Sequence, residues 1–121
     1  WRDLIDLGLI IPGGTDAPVE IGDPLIEFYA AVTRKDVDGF YDKGWNLHQR
    51  VTREEALKMF TIWPAIASFQ EDVKGTIEKD KLADFTVFNK NLMTIPDHEI
   101  LESKNILNIV GGREVFSSLG K

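Results

Sequence analysis

The chain has 121 residues, a formal net charge of −6, no cysteine and 43% hydrophobic residues. That is the length of one domain with enough apolar content for a core, which excludes a disordered chain. The acidic balance and the lack of any Lys/Arg run exclude nucleic acid as a partner. The missing cysteines exclude a disulfide framework and a thiolate metal site, and they suit the cytoplasm. No apolar stretch approaches the ~18 residues of a membrane span, and no signal peptide is read.

The chain opens on Trp1 to Leu7, spaced as the last turns of a helix that Gly8 closes, with no initiator methionine. It therefore reads as a piece from within a longer chain. Leu9-Ile10-Ile11-Pro12 is a short apolar run ended by Gly13-Gly14, the pattern of a buried parallel strand. If extension persists as far as Asp16, alternation along such a strand puts Ile10, Pro12, Gly14 and Asp16 on one face. That face would be a packed floor with an acid at its rim. On residue pattern alone, Asp16 is either a catalytic group at the C-terminal end of a barrel strand or a loop and capping acid.

Asp23-Pro24 starts the next helix, with Asp23 as cap and Pro24 where no hydrogen bond is lost. Leu25, Ile26, Phe28, Tyr29 and Val32 form its apolar face. Lys35 to Arg50 is a long polar connection carrying Phe40, Tyr41 and Trp45. Either it serves function, folding back over the mouth of the strand, or its aromatics only pin it to the surface. Thr52-Arg53-Glu54-Glu55 is a capping box, and Ala56, Leu57, Met59 and Phe60 follow as a buried stripe. Pro64 opens a second short helix, Pro64 to Phe69.

Near Gln70 the character changes. Val73 to Ile77 reads as extended, Glu78 to Lys81 as a charged turn, and Ala83 to Phe88 as a strand. Gly111-Gly112 between the apolar runs Asn105–Val110 and Arg113–Phe116 signals a type I′ hairpin, which needs positive φ at both turn residues. The whole is an α/β first half followed by a small β unit.

Gly14-Thr15-Asp16-Ala17-Pro18-Val19 resembles the Gly-Ser-Asp-Ala-Pro-Val signature of the YtcJ-like branch of the amidohydrolase superfamily. The resemblance continues through Ala31 to Arg34, Thr52 to Leu57, Thr61 to Ala65, Lys74 to Phe88 and Ile109 to Phe116. Thr15 stands where serine is usual, and Trp63 where the wider superfamily often has asparagine. What the resemblance implies is the C-terminal piece of a (β/α)8 barrel, residues 1–69, carrying the last strand and its helices. Residues 70–121 would then be the C-terminal part of a small composite β-sandwich.

The resemblance also implies that Asp16 is a metal ligand and the general base of a metal-dependent hydrolase of non-peptide C–N bonds. The metal would be divalent, zinc being expected, and the substrate a small molecule. The co-ligands, among them a His-x-His pair, would lie upstream of this chain, which leaves the piece itself inert. A stand-alone, non-catalytic binding or scaffold module is the competing reading.

The remaining candidates are weaker. His48 and His98 are isolated, without metal-ligand spacing, and carry no expected role. Pro12-Gly13-Gly14-Thr15 lacks the lysine of a phosphate loop. Asp84 is expected to be structural, and Arg34 suits a helix C-terminus better than an acidic substrate. Half of a sandwich would leave an apolar strand edge open, so association into a homo-oligomer is expected.

Overall fold

A computed structural model describes residues 1–38 and 41–120. The element order is α1 (Arg2–Asp6), α2 (Pro24–Thr33), α3 (Arg53–Met59), α4 (Ile62–Ala67), then β1 (Phe85–Phe88), β2 (Asn105–Val110) and β3 (Arg113–Ser117). It is a mixed α/β chain with a helical first half and a three-stranded sheet.

α1 ends as its glycine demands. Gly8 takes φ +83, its N–H bonds the Ile5 carbonyl at 2.8 Å, and the Leu9 N–H reaches back to Leu4 at 3.1 Å. That pair of bonds satisfies carbonyls that the helix end would otherwise leave bare. At α2, the Asp23 carboxylate accepts from the Leu25 N–H at 2.9 Å, with Pro24 at the first helical position. The capping box of α3 is complete: the Glu55 N–H donates to the Thr52 hydroxyl, and the Glu55 carboxylate accepts from the Thr52 N–H at 2.7 Å.

The run Leu9 to Gly14 forms no strand. A strand is made by a neighbour's ladder, and among the described residues the backbone link from this run to a distant element is Gly13 N–H to the Met59 carbonyl, 2.8 Å. The period-2 alternation survives all the same. Ile11, Gly13 and Thr15 are half-buried, while Ile10, Pro12, Gly14 and Asp16 are exposed. Extension does not persist to Asp16, which takes φ +51, and the exposed Ile10, Pro12 and Gly14 lie open rather than forming a packed floor. Gly13 permits the approach to α3: a Cβ there would stand 3.2 Å from the Phe60 ring and 3.3 Å from the Met59 Cβ.

α4 begins at Ile62 and stops at Ala67 rather than running from Pro64 to Phe69. Pro64 sits in the first turn, where its missing N–H has no intrahelical partner to lose. Phe69, at φ +57 and 92% exposed, lies beyond the helix. Val73 to Ile77 is turn and bend rather than extended strand, for it too lacks a ladder partner. The charged turn that follows is tied by Lys81 to Glu78 at 2.8 Å.

The sheet is antiparallel in the order β1-β2-β3. Gly111 and Gly112 turn β2 into β3 at φ +56 and +76, the type I′ geometry. Asp84 holds this turn from the adjacent strand's approach, accepting from the Gly111 N–H at 2.7 Å, and the Ala83 carbonyl accepts from Gly112 at 2.9 Å. Asp84 is structural, as expected.

One core joins the two halves. Phe28, Ala31 and Val32 of α2 pack with Val51, Ala56, Met59 and Trp63, and the centre is filled by Ile100, which is fully buried. Ile100 arrives from the far side of the sequence and is fastened there by Arg53. The Arg53 guanidinium donates to the Leu92 carbonyl, to the Ile95 carbonyl at 2.6 Å and to the Asp97 carboxylate at 2.6 Å.

Candidate functional site

Asp16 stands on the short loop between Gly14 and α2. It is exposed, with φ +51, and its carbonyl accepts from the Val19 N–H at 2.8 Å and the Glu20 N–H at 3.1 Å. A backbone turn thus fixes the residue while the carboxylate is left open to solvent. Small polar residues such as aspartate tolerate this left-handed conformation better than others.

The surroundings are acidic. Glu20, Asp23, Glu27 and Asp38 line a cleft of about 200 Å3 with Ile26 and Val37. Burial pushes the Glu27 carboxyl above its ordinary value, and repulsion from Glu20 and Asp16 adds to that. Asp16 therefore contributes to a negative field at the N-terminal end of α2, which suits a cation. Val37 and Asp38 bring the start of the Lys35–Arg50 connection back beside the loop that follows Asp16. Phe40, one of the aromatics expected to steer that connection, lies outside the described residues.

A catalytic zinc site takes about three protein ligands and an open position. Among the described residues no three His, Cys, Asp or Glu side chains gather to hold a metal. Asp16 offers one oxygen donor of suitable chemistry, and the described residues do not complete a site around it. His48 and His98 are both exposed, on separate short 3-10 turns at Leu47–Gln49 and Asp97–Glu99, and neither joins Asp16.

Arg34 is the C-cap of α2, at φ +58. Its Nε donates to the Trp45 carbonyl at 3.2 Å, and its carbonyl accepts from the Trp45 N–H at 2.7 Å. The guanidinium lies 4.2 Å from the Trp1 ring centroid and 5.0 Å from that of Trp45. Burial lowers its pKa from the ordinary arginine value. Contacts between the cation and the two ring faces compensate for that desolvation. Arg34 thus closes the base of the long connection, a role between the two that its position suggested. Sequence reasoning missed this clasp and the Arg53 anchor alike. The signal available was an arginine at a helix boundary near tryptophans, too common to select.

The fold is thus that of a mixed α/β chain presenting the loop aspartate Asp16 beside an acidic cleft. The model of the "Amidohydrolase family" matches residues 1–116, so the chain belongs to the amidohydrolase family, with its likeness in the YtcJ-like branch. The predicted amidohydrolase YtcJ of Bacillus subtilis is 31% identical over 118 residues, covering 96% of this chain and 22% of that protein. The N-substituted formamide deformylase of Arthrobacter pascens is 29% identical over 111 residues, 92% of this chain and 20% of that one. An amidohydrolase crystal structure from Thermotoga maritima shares the fold with a TM-score of 0.70 at 24% identity, over 96% of this chain and 25% of its own. The chain spans about a fifth of the length of the curated relatives it matches.

Proposed function

We propose that this chain is the C-terminal part of a metal-dependent amidohydrolase acting on non-peptide C–N bonds of a small molecule. Residues 1–69 would be the last strand and helices of a (β/α)8 barrel, and residues 70–121 part of a small β-sandwich. The observation that carries the reading is the family match over residues 1–116 together with the exposed Ile10, Pro12 and Gly14 leading to an exposed Asp16. An extended run that alternates as a strand, leaves apolar residues open and ends on a carboxylate is what a barrel strand looks like without its neighbours. The Arthrobacter relative's name, a formamide deformylase, gives the bond class.

On this reading Asp16 is one ligand of a divalent metal, zinc being favoured, and the general base. The metal, when bound, supplies Lewis-acid activation of water. Asp16 takes the attacking water's proton and returns it to the leaving amine. The other ligands come from parts of the parent beyond these residues, and the chain alone is inert. No described helix is long and apolar enough to cross a membrane.

The test is the full-length protein with Asp16→Asn, assayed on an N-substituted formamide with metal content measured alongside. Loss of a general base lowers the rate by about 10²–10⁴-fold. A variant with undiminished kcat/KM and normal metal content would sink the assignment, as would a parent lacking any His-x-His pair. For the chain alone, calorimetry with Zn²⁺ should give the same weak trace for wild type and Asp16→Asn.

A further inference from the structure

Arginine is scarce in this chain, with five among 121 residues, yet three of them line one cleft. Arg2, Arg50 and Arg53 meet there with His48, one of the two histidines, around a volume of about 700 Å3. Asp97 is the lining carboxylate, and it is already paired with Arg53 at 2.6 Å. The floor is apolar: Val32 and Val51 line it and belong to the core.

The cations differ in what occupies them. Arg2 is engaged by Glu55 at 2.5 Å and Asp6 at 3.3 Å, and Arg53 by Asp97 and the carbonyls of Leu92 and Ile95. These two are fixed in place by partners. Arg50 and His48 are exposed, and among the described residues neither side chain makes a hydrogen bond or an ion pair. The backbone around them is held, nevertheless. The Arg50 N–H bonds the Leu47 carbonyl at 3.1 Å, and Val51 bonds Ala31 at 3.1 Å. A free guanidinium on a fixed backbone, beside two fixed guanidinium groups and above an apolar floor, is matched by an oxyanion joined to an apolar body. The volume falls in the range of small-molecule sites, roughly 300–1,000 Å3.

We propose that this cleft is a binding site for a small organic oxyanion, a carboxylate or phosphate ester with an apolar substituent, with Arg50 as its principal contact. It does not depend on Asp16. Val32, on the cleft, is near the C-terminal end of α2, whereas Asp16 precedes the N-terminal end, and ten helical residues separate such ends by about 15 Å.

The experiment is titration of the 121-residue chain with phenyl phosphate, benzoate and inorganic phosphate, read by calorimetry and by amide NMR shifts at Leu47 to Arg53. Saturable binding of phenyl phosphate or benzoate is expected, tighter than that of inorganic phosphate and weakened as salt rises. Which of the two organic anions binds better identifies the headgroup. Arg50→Gln, at an exposed position without a side-chain partner, should weaken binding at least tenfold while leaving the thermal midpoint unchanged. Arg113→Gln, on β3, should bind as wild type does. No saturable binding to either organic anion, or equal affinities for wild type and Arg50→Gln, would overturn the proposal.

Discussion

Replacing Ile100 by alanine tests whether the chain has one core or two. Ile100 is fully buried between α2, α3 and α4, although it belongs to the second half of the sequence. The substitution removes about three buried carbons, worth ~0.8 kcal/mol each, so roughly 2.4 kcal/mol in transfer alone. A cavity left in the cluster that Ile100 shares with Phe28, Val32, Met59 and Trp63 would collapse only partly, which brings the total to about 3–4 kcal/mol. A chain of this length has roughly 6–18 kcal/mol in all, so the loss is a large share. Urea unfolding followed by circular dichroism measures it, with Phe69→Ala, at 92% exposed, as a control expected within about 0.5 kcal/mol of wild type. A loss below about 1 kcal/mol, or a transition that splits so that the helices melt unchanged, would refute the single core. The two halves would then be independent.

Glu55 gives a pH test. Its burial favours protonation, but hydrogen bonds from Arg2 and Thr52 outweigh this and hold the carboxyl below its ordinary value. The stability it contributes is therefore present above the unfolded glutamate pKa of about 4.3 and lost as pH falls through the lower folded value. The urea midpoints of wild type and Glu55→Gln should differ at pH 7 and converge towards pH 3; a gap that widens on acidification would contradict this. At the hairpin, Gly112→Val forces a β-branched residue into positive φ and should lower stability by more than 1 kcal/mol. Asp84→Ala removes the acceptor for Gly111, at a cost of about 1 kcal/mol, and thermal melts of both check the turn geometry. β3 leaves one edge of the sheet open, with Val115 61% and Phe116 46% exposed. Light scattering should show concentration-dependent association that Val115→Lys reduces, and a wild-type monomer stable to dilution would count against it.

The features legible in the sequence were those whose cause is local. Gly8, Asp23-Pro24, the Thr52 and Glu55 box and the Gly111-Gly112 turn each act within a few residues, and each appears as read. Two of the misreadings share an origin. Leu9 to Gly14 and Val73 to Ile77 carry strand composition, but a strand exists only where a second backbone pairs with it. The core's centre was hidden for a related reason. Ile100 lies in a polar segment, Asp97-His98-Glu99 before it and Glu102-Ser103-Lys104 after, with no period to mark a buried face. The segment that carries it is tied to Arg53, more than forty residues earlier in sequence. The role proposed for Asp16 rests on family pattern alone, since neither its exposure nor its turn distinguishes it from an ordinary loop acid.

The late arrival of Ile100 has a consequence during synthesis. The last residue of α4, Ala67, precedes Ile100 by 33 positions. At about 5–20 residues per second, roughly 2–7 s pass between completion of the helices and translation of the side chain that fills their centre. Throughout that interval the cluster of Phe28, Val32, Met59 and Trp63 lacks Ile100. The nascent chain therefore carries an incomplete core for seconds, the kind of transiently exposed apolar surface that favours aggregation.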